Sequence, residues 1–171
     1  GLSVGDRLSH TGVWSVLITR SQYDSVDFAR RYFDKFNVIS ASQWNLCICA
    51  EGRQRNSQEP ILWEESEELF RYEESVREKI ESQTRPLHDM CIAFYNPLRS
   101  DDDFGRRTLI IPLDKSRIAD SNFYEEAFIK THKCIMSASR NTQISVYEKV
   151  SDDDYDRLIS SISSELEKER I

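Results

Sequence analysis

The chain has little of what marks the specialised classes of protein. Five Gly and four Pro in 171 residues are too few for a collagen-like repeat or a Pro/Gly-rich disordered tract. No apolar run approaches the ~20 residues that span a bilayer, and no signal-peptide pattern opens the chain. Basic charge is not in excess. Lys and Arg number 23 against 30 Asp and Glu, a formal net charge of −7. That excludes a uniformly basic nucleic-acid coat and leaves room only for a local basic cluster. The motifs G-x-S-x-G, G-x-x-x-x-G-K-[ST], H-E-x-x-H and G-x-G-x-x-G are missing, as is an N-x-[ST] sequon.

Cysteine is scarce as well. Cys47, Cys49, Cys91 and Cys134 sit inside apolar segments, and His10, His88 and His132 stand at no zinc-ligand spacing from them. The expectation is buried, reduced thiols in a cytosolic or nuclear protein, with no metal and no cofactor.

What is present is a folded α+β pattern: 39% of residues are hydrophobic and 31% charged. Val13-Trp14-Ser15-Val16-Leu17-Ile18-Thr19 reads as a strand. Asp24 or Ser25 then caps a helix whose inner stripe is Val26, Ala29, Tyr32, Phe33 and Phe36. Strand character returns at 44–50, and a polar turn covers 51–58. A short strand at 60–63 sits at an edge, because Pro60 cannot donate to a ladder. A helix runs over 66–81 with Leu69, Val76 and Ile80 inward, and Thr84-Arg85-Pro86 stops it. Strands follow at 90–95 and 107–111. Asp120-Ser121-Asn122 starts a helix carrying Phe123, Ala127, Phe128, Cys134 and Ile135. Residues 144–147 alternate as a strand, and the acids at 152–154 open a last helix where the macrodipole favours them. With no linker inside, 1–171 reads as one domain. Its mixed or antiparallel sheet of five to seven strands would have helices packed on one face.

No catalytic constellation stands out. The acidic runs at 101–103 and 152–154 read as a solvated turn and a helix start. Cys134 and His132 are two apart on a helix, so their side chains diverge. The chain is expected not to be an enzyme. Binding residues say more. Trp63-Glu64 ends a strand: an indole offers a stacking face, and the next carboxylate can accept N–H donors from a guanine edge. Arg106-Arg107 and Arg140 enter strands, where they could meet phosphates. Composition alone favours an ordinary core aromatic for Trp63 and a solubilising strand end for Arg106-Arg107.

Order and local motifs resemble the cap-binding translation initiation factor 4E family. Tyr23-Asp24-Ser25-Val26-Asp27-Phe28 is similar to that family's aromatic-Asp-Thr-Val-Glu-Asp-Phe stretch. Glu59-Pro60-Ile61-Leu62-Trp63-Glu64-Glu65 resembles Glu-Pro-Met-Trp-Glu-Asp, and Gly105-Arg106-Arg107-Thr108-Leu109-Ile110 resembles Gly-Gly-Arg-Trp-Leu-Ile. Ile144-Ser145-Val146-Tyr147 resembles the closing Ile-Ala-Ile-Trp strand.

The resemblance implies a curved, mostly antiparallel sheet backed by helices on one face. It also implies a non-catalytic adaptor in cytoplasmic RNA metabolism, in translation control or germline small-RNA granules. Its partners would be proteins of a ribonucleoprotein complex and capped RNA, with no membrane and no DNA. Carried over residue by residue, the cap and RNA contacts are Trp63, Glu64, Arg107 and Tyr147, with Arg140 added as a phosphate contact.

The family's first sandwich tryptophan has no counterpart, because only Ser21-Gln22-Tyr23 separates the opening strand from the first helix. Gln143 stands where a phosphate-contacting lysine would be, and Ala29 where a partner-binding tryptophan would be. Residues 66–104 read as an insertion relative to the family. One stacking face is worth ~1–3 kcal/mol, so its loss would weaken cap binding roughly 5- to 150-fold. The implied fold is therefore a degenerate or altered cap-binding one. The other reading is an α+β protein–protein interaction module with no nucleic-acid binding.

Overall fold

Two strands are apolar on both faces, and that decides the architecture. All six residues of β1 (Val13–Ile18) and all four of β5 (Cys91–Phe94) are buried. A strand exposes alternate residues to opposite faces, so such strands need cover on both sides. The computed structural model, which describes residues 11–96 and 108–169, meets that need with α+β layers.

β1 is joined through α1 (Gln22–Ser40) to β2 (Trp44–Cys47), and the two strands run parallel with Val13 opposite Trp44. A hairpin of β3 (Glu51–Arg53) and β4 (Leu62–Glu64) follows, then α2 (Glu67–Gln83) and β5. β5 lies antiparallel to β1 and to β6 (Leu109–Pro112). A 3₁₀ turn at Lys115–Arg117, α3 (Ser121–Thr142) and α4 (Asp152–Glu169) complete the order. The main sheet reads β2-β1-β5-β6, and the hairpin is a separate two-stranded sheet.

One face of the sheet carries the larger core. Val13 and Leu17 of β1, Trp44 of β2 and Ile92 and Phe94 of β5 meet α1, α3 and α4 there. Aromatic rings knit it: Tyr32 stacks on Tyr124 at 4.9 Å and Trp44 on Phe94 at 5.6 Å. The opposite face carries Val16, Ile18, Cys47, Cys91 and Ala93, covered by Val76 and Ile80 of α2. Helices on one face alone are thus corrected to helices on both. The reason is in the strands themselves: an unbroken apolar run cannot leave one face to water.

The 66–104 segment contributes α2 and β5, and β5 pairs with strands on both sides. The sheet also has fewer strands than expected. Residues 144–147 alternate in burial, with Ile144 and Val146 inside, yet join no ladder. Among the described residues the pairing there is an isolated bridge between Gly12 and Lys149.

Local chemistry fixes the helix starts. Ser21, Ser66, Asp120 and Ser151 each accept a hydrogen bond from a backbone N–H three residues on. The first cap is therefore Ser21, with Asp24 in the first turn, where its carboxylate pairs with Lys115 at 2.8 Å. Gly12 has a φ of +78°, and a Cβ there would lie 2.4 Å from the Gln43 carbonyl oxygen, so only glycine fits.

Candidate ligand cavity behind Trp63

The β3–β4 hairpin has two unlike faces because its residues alternate. Gly52 lies opposite Trp63, and Glu51 opposite Glu64. On the inner face the indole lies against Gly52. A Cβ there would come within 3.1–3.2 Å of Cζ3 and Cη2 of the ring, so glycine makes room for it. The ring meets Phe33 of α1 edge-on, centroids 4.9 Å apart, and Arg30 donates to the Trp63 carbonyl at 3.2 Å. On the outer face Arg53 pairs with Glu51 at 3.2 Å and with Glu64 at 3.6 Å.

Trp63 is half-buried and forms one wall of a cavity of about 410 Å³. The other walls are the C-terminal half of α1, with Phe33, Phe36 and Asn37, and successive residues of β2 including Asn45 and Leu46. The volume is in the ~300–1,000 Å³ range of ligand sites. Among the described residues the lining is apolar and aromatic with three carboxamides, Asn37, Asn45 and Gln54, and no charged side chain. Such a surface can hold a neutral apolar or aromatic group and hydrogen-bond its polar edge. It offers no countercharge to a cationic ring.

The sequence-predicted contacts are not brought together. Trp63 reaches the cavity, whereas Glu64 is exposed on the hairpin's other face. Arg140 is exposed on the last turn of α3 and donates to Ser137 Oγ at 3.2 Å. Tyr147 is 61% exposed in the connection between α3 and α4. Neither lines the cavity. Arg107 lies outside the described residues. Asn37, Asn45 and Gln54 escaped the sequence reading. A polar residue in a strand or at a helix end carries no signal until the fold brings several to one cleft.

The comparisons add no relative. The chain matches no known protein-family model, no curated protein and no solved structure. Its likeness to the 4E family therefore rests on the short motifs alone.

Two other polar features lie outside this cavity. A wider depression of about 810 Å³ is lined by His88, Asp89, Asp114, Lys115 and Phe123. Its lysine is engaged by Asp24. The second is enclosed. The Glu73 carboxyl on α2 is wholly buried and accepts from Thr19 Oγ1 at 3.3 Å and from Ser25 Oγ at 3.2 Å. Burial pushes its pKa up to about 8, against the opposing pull of those hydroxyls and of Arg77. Arg77 donates to the Thr19 carbonyl at 3.1 Å. This group ties α2 to the turn between β1 and α1.

All four cysteines are buried, and none of them forms a disulfide. Burial raises the pKa of Cys91 to about 12, so it stays protonated. Among the described residues no three His, Cys, Asp or Glu side chains are grouped to hold a metal ion. No helix among them is long and apolar enough to cross a membrane.

Proposed function

We propose that the chain is a non-catalytic cytoplasmic adaptor whose binding seat is the cavity behind Trp63, and that the seat takes a protein partner. The observation that carries this reading is the lining: apolar side chains and carboxamides with no charge, in a chain of net charge −7. Such a seat suits a neutral side chain presented by a protein and is ill matched to polyphosphate.

The second reading is the RNA-metabolism adaptor with an altered cap-binding fold of 4E type. What favours it is Trp63 itself, an aromatic wall with carboxamides nearby that could read a base edge. It lacks the carboxylate beside the ring, because Glu64 faces the other way.

Titration with capped and uncapped oligonucleotides, followed by tryptophan fluorescence, separates the two. Trp44 also lines the cavity, so the part of the quench that is lost in Trp63→Phe is what reports Trp63. Equal and negligible quenching by both oligonucleotides is expected. Cap-dependent quenching that disappears in Trp63→Phe would make RNA the ligand and overturn the protein-partner reading.

A further inference from the structure

We infer that the Trp63 cavity is the anchor pocket of a strand-addition site. On the adaptor reading above, a basic, extended segment of a partner protein pairs with the outer edge of β2. It seats one neutral apolar side chain in the cavity lined by Trp63, Phe36 and Leu46.

β2 is the terminal strand of the main sheet, with β1 on one side and no strand on the other among the described residues. Natural edges are usually guarded by Lys, Pro, an inward charge or a bulge. Trp44-Asn45-Leu46-Cys47 has none of the first three. The cavity runs along these same four residues, so an added strand would lie directly over it. Main-chain pairing along β2 would supply affinity and the pocket would select the side chain.

The charge of the partner follows from what surrounds the mouth. Glu59, Glu64 and Glu65 are exposed on the hairpin loop and at the end of the hairpin, and Glu67 and Glu68 on the first turn of α2. Of the nearby cations two are in ion pairs, while Arg30 donates to the Trp63 carbonyl and Arg55 on the loop is exposed, so acids still outnumber bases there. Arg53 is held by Glu51 and Glu64, and Arg71 by Glu67 at 2.5 Å. The field there is negative, which attracts Lys and Arg beside the anchor and repels phosphate.

The test uses the whole chain and immobilised synthetic peptides. One series carries a single Leu, Met or Phe among Lys and Arg; a matched series replaces the basic residues by Asp and Glu. The basic series is expected to bind and the acidic series not. In a bound complex, hydrogen exchange at the outward-facing amides of 44–47 slows. Trp63→Ala weakens binding about tenfold or more, as for a buried anchor. The double variant Glu64→Lys/Glu65→Lys changes two exposed side chains, so its fold is retained, and it weakens the basic series too. Equal binding of both series overturns the inference, as does binding of the basic series without protection at 44–47, or no binding by any peptide. Failure of the underlying adaptor reading looks different: cap-dependent quenching by oligonucleotide.

Discussion

Glu73 makes one carboxyl a determinant of how stability depends on pH. Its folded-state pKa of about 8 stands above the ordinary 4.5. Between those values the native state holds a proton that the unfolded chain releases. Its contribution is therefore greatest below the unfolded value and is lost as pH rises toward 8, at up to about 1.4 kcal/mol per pH unit. His132, whose pKa burial lowers from 6.5, acts at lower pH and with the opposite sign. Denaturant midpoints between pH 6.5 and about 8 are thus expected to fall in the wild type and to stay flatter in Glu73→Gln. Tyr155 is a second such residue. Its hydroxyl donates to the Trp14 carbonyl at 2.8 Å and receives the Trp14 N–H at 3.2 Å, inside the core. Tyr155→Phe removes both of these buried bonds, and a loss of about 1–3 kcal/mol in chemical denaturation is expected. Neither role could be read from the sequence. A Glu in a helix rich in Glu looks solvated, and a Tyr on an apolar stripe looks like plain core.

At the scale of elements, amphipathic periodicity located all four helices, because a stripe at three- and four-residue spacing survives any detail of packing. The stripe from Val26 to Phe36 even included Phe33, which turned out to face the cavity. Strand pairing was harder to read. Alternation at 144–147 reports only that successive side chains meet different surroundings, and a lone extended segment does that without a ladder. The sequence reading placed helices on one face only, although the apolar character of β1 and β5 on both faces calls for cover on each, which α2 supplies. Ile80, 1% exposed beneath that helix, is expected to cost about 2–5 kcal/mol when cut to Ala, measured by equilibrium unfolding. The C-terminal end of α3 offers the opposite case. Gln143 sits at a φ of +59°, in the left-handed region. Gln143→Gly removes that strain, and a gain of up to about 1 kcal/mol in thermal or chemical melting is expected.

For the molecule as a whole, composition set the class correctly, since the balance of apolar and charged residues produced a folded α+β chain. The cavity stayed hidden because α1, β2 and the hairpin contribute residues from 33 to 63 that only the tertiary structure gathers. The buried thiols give a global readout. Cys47, Cys49, Cys91 and Cys134 are expected to resist a thiol reagent in native buffer and to react together once the fold is lost, so labelling tracks global unfolding. The strand order carries a further consequence. Ile18 of β1 finds its antiparallel neighbour only at Cys91. On a ribosome, β1 therefore has β2 on one flank and, among the described strands, no partner on the other until residue 91 has emerged. Nascent chains halted before that point would show an unpaired apolar strand to chaperones and to one another. Pauses in translation upstream of residue 91 are then expected to lower the folded yield.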